Sequence, residues 1–66
     1  MEMKERWAKF RRGDALSKQE LEALIMECQT GISWLEARGE TGGVLFKARI
    51  DLETLLSFQH FRARKT

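Results

Sequence analysis

Proline is absent, cysteine and histidine occur once each, and no apolar run approaches the ~20 residues that a membrane-spanning helix needs. Each absence excludes something. Without proline, nothing in the chain breaks a long helix from within. A lone cysteine, Cys28, rules out an intrachain disulfide and fits a reducing compartment, where free thiols are ordinary. One cysteine and one histidine, His60, are too few for a structural zinc site. The charged start Met1-Glu2-Met3-Lys4-Glu5-Arg6 leads into no signal-peptide apolar segment. These features predict a cytoplasmic protein that needs no metal or cofactor and has no membrane partner. The Met1 start and the lack of tag residues are expected of a complete small gene product.

Sixty-six residues make one small domain, residues 1–66. A chain this short buries only about 60% of the surface that its unfolded form exposes. Disulfides, metals and partners are the usual supplements to so small a core. With the first two excluded, a partner remains, either another protein or a second copy of the chain in a homodimer.

The strongest local signal is Leu16-Ser17-Lys18-Gln19-Glu20-Leu21. Ser17 can cap a helix, Glu20 can reach back to the Ser17 N–H, and Leu16 and Leu21 occupy the positions of a hydrophobic staple. Leu21, Leu24, Ile25, Cys28, Ile32 and Leu35 then follow at helical spacing, and Gly39 is placed to end the helix as its C′ residue. Glu40-Thr41-Gly42-Gly43 forms a turn, with Thr41 a candidate N-cap. Beyond it Val44, Leu45, Ala48, Leu52, Leu55, Leu56 and Phe58 form a broad stripe, supported by i, i+4 pairs Lys47–Asp51 and Arg49–Glu53. Ahead of the capping box, Met3, Trp7 and Phe10 recur at i, i+4 and i+7 and make a short amphipathic helix that stops at Gly13-Asp14. The pattern predicts an all-α fold, an antiparallel helical hairpin of about 18–38 and 43–62 with an N-terminal helix of about 2–12. One stretch, Phe46 to Leu52, also alternates apolar and polar as a strand would. Such a strand, within 44–52, needs a partner strand from a second subunit, and the continuation Leu52, Leu55, Leu56 favours helix. Gly31 falls on the apolar face of the second helix, where it costs ~1 kcal/mol against Ala and reads as a packing notch.

Several apolar residues fall off these stripes. Ala23, Met26, Thr30, Trp34 and Ala37 point away from the Leu21–Leu35 face, and Phe46, Ile50 and Phe61 draw a second line on the third helix. Contiguous exposed apolar surface marks interaction sites, and Trp is enriched at their hot spots. The N-terminal helix is long enough to cover one of these faces but not both. Trp34, Met26, Phe46, Ile50 and Phe61 are therefore the expected protein contacts. Trp7 and Phe10 belong either with them or to a lid closed over the hairpin.

No catalytic constellation is present, so the chain is expected not to be an enzyme and to have no small-molecule substrate. Cys28 reads as a buried apolar residue, His60 as a solvated or capping one, and the Gly39–Gly43 turn lacks the Lys and Ser/Thr of a phosphate-binding loop. The net charge of +2 hides a division: residues 1–12 carry +3, residues 62–66 carry +3 and residues 13–61 carry −4. A hairpin should gather both basic ends at one pole. Lys4, Arg6, Lys9, Arg11, Arg12, Arg62, Arg64 and Lys65 are thus the candidate contacts of an alternative function, a small nucleic-acid-binding regulator. In length and hairpin form alone the chain is similar to two groups, the small co-chaperones of type III secretion needle subunits and the plasmid-encoded RNA-binding hairpins. The leading expectation is a non-enzymatic helical interaction module of adaptor, co-chaperone or inhibitor type.

Overall fold

A computed structural model describes residues 3–65 of the chain, with side chains described for residues 4–62. Three helices follow one another: α1 (Met3–Arg12), α2 (Lys18–Ala37) and α3 (Gly43–Lys65). The 44–52 segment is helical throughout, and the described residues contain no strand. Helix α3 runs three residues beyond the expected end at 62, because nothing in Arg62-Ala63-Arg64-Lys65 interrupts a helix. Its 23 residues rise about 34 Å and account for most of the molecule's 39 Å length.

The helix ends show how the sequence divides itself. Ser17 adopts an extended backbone, its hydroxyl accepts from the Glu20 N–H at 3.1 Å, and the Glu20 carboxylate accepts from the Ser17 N–H at 2.9 Å. The capping box is complete, and Leu16 and Leu21 both pack at the edge of the core. At the other end of α2, the Glu40 N–H donates to the Leu35 carbonyl and the Gly39 N–H to Glu36, each at 3.0 Å. This Schellman closure needs a left-handed residue, and Gly39 supplies it with φ +77°. Helix α1 ends in the same way at Gly13, φ +79°, with Asp14 N–H donating to Lys9 at 2.9 Å. At the start of α3 the expected cap moves by one residue. The Gly42 carbonyl accepts the first helical bond, from Phe46 N–H at 3.3 Å, so Gly42 and not Thr41 stands at the N-cap.

Helices α2 and α3 pack antiparallel through Leu21, Leu24, Ile25, Cys28, Ile32, Leu45 and Leu55, with Leu24 and Leu55 wholly enclosed. Leu35, Ala48 and Leu52 extend this seam. The Cys28 thiol donates to the Ala48 carbonyl at 3.2 Å, where the two helices pass close together. The α3 stripe that faces α2 is narrower than its sequence predicts, for Val44, Leu56 and Phe58 remain substantially exposed. One neighbouring helix covers only one stripe of another, and residues at its margin stay wet. The expected i, i+4 ion pairs are also redirected. Arg49 pairs with Glu36 of α2 at 2.8 Å and Asp51 with Arg11 of α1 at 3.8 Å, so both charges link helices instead of bracing α3 internally.

Helix α1 folds back onto the hairpin. The Trp7 indole N–H donates to Glu27 at 2.9 Å and Lys9 pairs with Glu20 at 3.0 Å, so α1 runs antiparallel to α2. Phe10 meets Trp7 and Phe58 edge-on, at centroid distances of 5.7 and 6.1 Å, and Arg11 lies over the Trp7 ring. Glu20 thereby accepts from two places at once, the Ser17 backbone N–H and, to lesser effect, the Lys9 ammonium. Together they hold its carboxyl pKa down from 4.5 to about 2. A carboxyl depressed on folding adds stability above its unfolded pKa and loses it as pH falls through the folded value. Thermal melts of the wild type should therefore show Tm falling between about pH 4.5 and pH 2. Glu20→Gln should flatten part of that fall, and an unchanged profile would contradict the assignment. Ser17→Ala should cost about 1 kcal/mol in denaturant titration at neutral pH.

Candidate interaction faces

The described side chains contain no cluster of three or more His, Cys, Asp or Glu residues able to hold a metal ion. No helix among the described residues is long and apolar enough to cross a membrane. Cys28 is buried, and its thiol pKa is raised first by that burial and then by the Asp51 and Glu27 charges. His60 is exposed on α3, in a shallow groove with Lys18, Glu22, Leu56, Gln59 and Arg62. What the surface offers instead is apolar area.

Two of the seven expected protein contacts are internal. Trp7 and Phe10 pack against the hairpin core and act as the lid. The other five are exposed: Met26 (70%), Phe46 (67%), Phe61 (61%), Trp34 (58%) and Ile50. Their placement follows from where α1 sits. Its contacts, Glu20 and Glu27 on α2 with Asp51 and Phe58 on α3, lie along one side of the hairpin. The opposite side is mostly polar, with Glu22, Gln29, Ser33, Glu36, Arg49, Glu53 and His60 exposed. The two remaining directions are the outer edges of α2 and α3. Both are apolar.

On the outer edge of α2, Ala23, Met26, Glu27, Thr30, Gly31 and Trp34 line a shallow groove. Its floor is open at Gly31, since a Cβ built there meets no described atom within 4 Å. The sequence places this glycine as a packing notch, and none of the described side chains fills it. Trp34 is exposed without being loose, for the Arg38 guanidinium stacks on its ring at 4.5 Å. Arg38 is the C-cap residue of α2, one turn beyond Trp34, and its guanidinium meets the indole face as a cation–π contact. On the far side of the molecule, Phe46 and Ile50 lie one turn apart on the outward surface of α3, and Phe61 lies about 16 Å beyond Ile50. Thr54 interrupts the line, with its hydroxyl donating back to the Ile50 carbonyl at 3.0 Å.

Val44, Leu56 and Phe58 are exposed apolar residues that the sequence reading assigns to the hairpin seam. No periodicity distinguishes a seam position from its margin; the distinction lies in how far the neighbouring helix extends. Phe58, with Leu16, Leu21 and Phe61, lines a third groove where the α1–α2 loop meets the end of α3.

The basic pole forms only in part. Arg62 donates to the Leu16 carbonyl, which sets the end of α3 beside the start of α2 and the loop that follows α1. Lys4 and Arg6 lie at the opposite end of α1 from Arg12, and the side chains of Arg64 and Lys65 fall outside the described residues. Three of the expected cations are already matched with carboxylates: Lys9 with Glu20, Arg11 with Asp51, and Arg12 with Asp14 at 2.8 Å. Comparison of the chain with protein-family models, with curated proteins and with solved structures gives no match in any of the three. The class defined by the fold is thus a helical hairpin closed on one side by a third helix, with its two outer edges left apolar.

The two tryptophans should answer differently to truncation. Trp7→Ala removes a ring that packs on the core and orphans a Glu27 acceptor, so it should cost roughly 2–4 kcal/mol in denaturant titration. At the same dilution Trp34→Ala should change stability by less than about 0.5 kcal/mol, as exposed positions do. Equal losses would contradict the packing described for α1. Cys28 should resist thiol reagents until the chain unfolds, and modification at the rate of a free thiol would contradict its burial.

Proposed function

We propose that the chain is a non-enzymatic helical interaction module of the cytoplasm, which works by holding a protein against the apolar outer edges of α2 and α3. One observation carries this reading: Met26, Trp34, Phe46 and Phe61 remain more than half exposed although α1 has already folded onto the hairpin. A soluble monomer has little reason to keep so many large apolar groups in water on two edges. The cation-stacked Trp34 above an open groove has the form of a contact anchor, since a ring already held in place loses little freedom on binding.

The alternative, a nucleic-acid-binding regulator, draws less support. Phosphate contacts need cations that are free to replace counterions. Lys9, Arg11 and Arg12 face carboxylates of the same chain, and Arg62 serves the fold by holding the Leu16 carbonyl.

A photoreactive residue replacing Trp34 or Phe46, irradiated in the cells that express the chain, should yield covalent protein adducts. The same residue at Gln29, on the polar side, should yield few. Absence of protein adducts from both outer edges would overturn the proposal. Nucleic-acid adducts from Arg11 or Arg12, with log affinity falling steeply against log salt, would establish the alternative.

A further inference from the structure

Helix α1 is held differently from the two helices beneath it. The buried side chains of the core all belong to α2 and α3, and none of the described α1 side chains is buried. Trp7 and Phe10 are half-buried against the hairpin, and apart from Ala8 the other described residues of α1 are charged. What seats the helix is a set of separate contacts. The Trp7 indole N–H donates to Glu27 at 2.9 Å, Lys9 meets Glu20 at 3.0 Å, Arg11 meets Asp51 at 3.8 Å, and the Phe10 ring meets Phe58 edge-on. The three carboxylates are half-buried, and each faces a cation or an N–H of α1. The complementarity therefore belongs to this face, contact by contact. Between α1 and the capping box, Gly13, Asp14 and Ala15 are exposed, with Gly13 in the left-handed region. Helix α1 thus lies on the hairpin as a ligand lies on a receptor, joined to it by a short exposed tether.

We infer that the face beneath α1 is a docking site for a basic amphipathic helix of another protein, and that α1 is its tethered, autoinhibitory occupant. The chemistry of the partner is read from what α1 presents: two aromatic rings three residues apart, one able to donate from an indole, with cations beside them at Lys9 and Arg11. Such a helix laid in a groove is a recurrent mode of recognition, and opposite charges steer its encounter and fix its register. A short tether holds α1 at an effective concentration on the order of millimolar. A helix from another chain therefore enters when α1 is unseated, or when it binds the face better than α1 does. The site is separate from the outer edges at Trp34 and Phe46, so this inference stands or falls independently of the reading given to them.

The probe is a fluorescent synthetic peptide of residues 1–15, titrated with the full chain and read by anisotropy. Lys9→Glu with Arg11→Glu in the full chain sets acids of α1 against Glu20 and Asp51, which unseats the tethered helix and leaves the face itself unaltered. The peptide should bind this variant at least about tenfold more tightly than it binds wild type, where the tether competes. Phe10→Ala removes a ring and no charge, and it should shift affinity in the same direction. A scrambled peptide of the same composition should bind the variants at least about tenfold more weakly than the native sequence, as should a peptide carrying the two charge reversals. Equal binding of the scrambled peptide would reduce the effect to net charge and overturn the helix site. Equal affinity for wild type and both variants would overturn α1 as its occupant. Amide hydrogen exchange of the wild type decides the matter should the variants fail to fold. The amides of α1 should exchange through an opening roughly a hundredfold more frequent than the one that exposes those of Leu24 and Leu55. A single common rate would mean that α1 leaves only when the whole chain unfolds, and would overturn the inference.

Discussion

Two helices packed side by side can each bury a single stripe, and this limit governs the rest of the molecule. Helix α2 carries apolar groups on opposite faces, Leu24 and Cys28 inward and Met26 and Trp34 outward. Helix α3 does the same with Leu45 and Leu55 inward and Phe46 and Ile50 outward. A hairpin made from them closes one core of seven buried side chains and has no means of closing the others. The third helix does not resolve the surplus. It settles beside the seam, where Glu20, Glu27 and Asp51 offer partners to Lys9, Trp7 and Arg11, and leaves both edges bare.

That choice is electrostatic as much as apolar. Helix α1 carries five basic residues against Glu5, and the side of the hairpin it covers is the one that presents acids to it. Glu20 stands at the centre of this arrangement. It completes the capping box that starts α2, and it receives Lys9, so the residue that begins the hairpin also fixes the arm that precedes it. A helix of ten residues would not persist alone in water, and α1 exists because these contacts hold it.

Much of this was legible in the sequence wherever local chemistry decides the outcome. The Ser17–Glu20 box, the glycines at 13 and 39 and the two apolar stripes that meet in the seam are instructions that a backbone follows over a few residues. The outward positions of Met26, Trp34, Phe46, Ile50 and Phe61 were readable for the same reason, since helical geometry alone places them away from Leu24 and Leu55. Less legible was anything that depended on the reach of a neighbour. The fate of Trp7 and Phe10 turned on where α1 docks, and the exposure of Val44 and Leu56 on where α2 and α1 end. Lys47–Asp51 and Arg49–Glu53 looked like sound intrahelical pairs, yet Arg49 and Asp51 found carboxylate and guanidinium partners on other helices. Gly31 showed its oddity in the sequence, but only the packing shows that its notch is open.

The central proposal is that the exposed apolar outer edges of α2 and α3 are contact surfaces for a protein. Crosslinking from photoreactive residues at positions 34 and 46, with position 29 on the polar side as reference, tests it most directly. The account predicts covalent protein adducts from both outer edges and few from position 29, and an absence of protein adducts from both edges would contradict it.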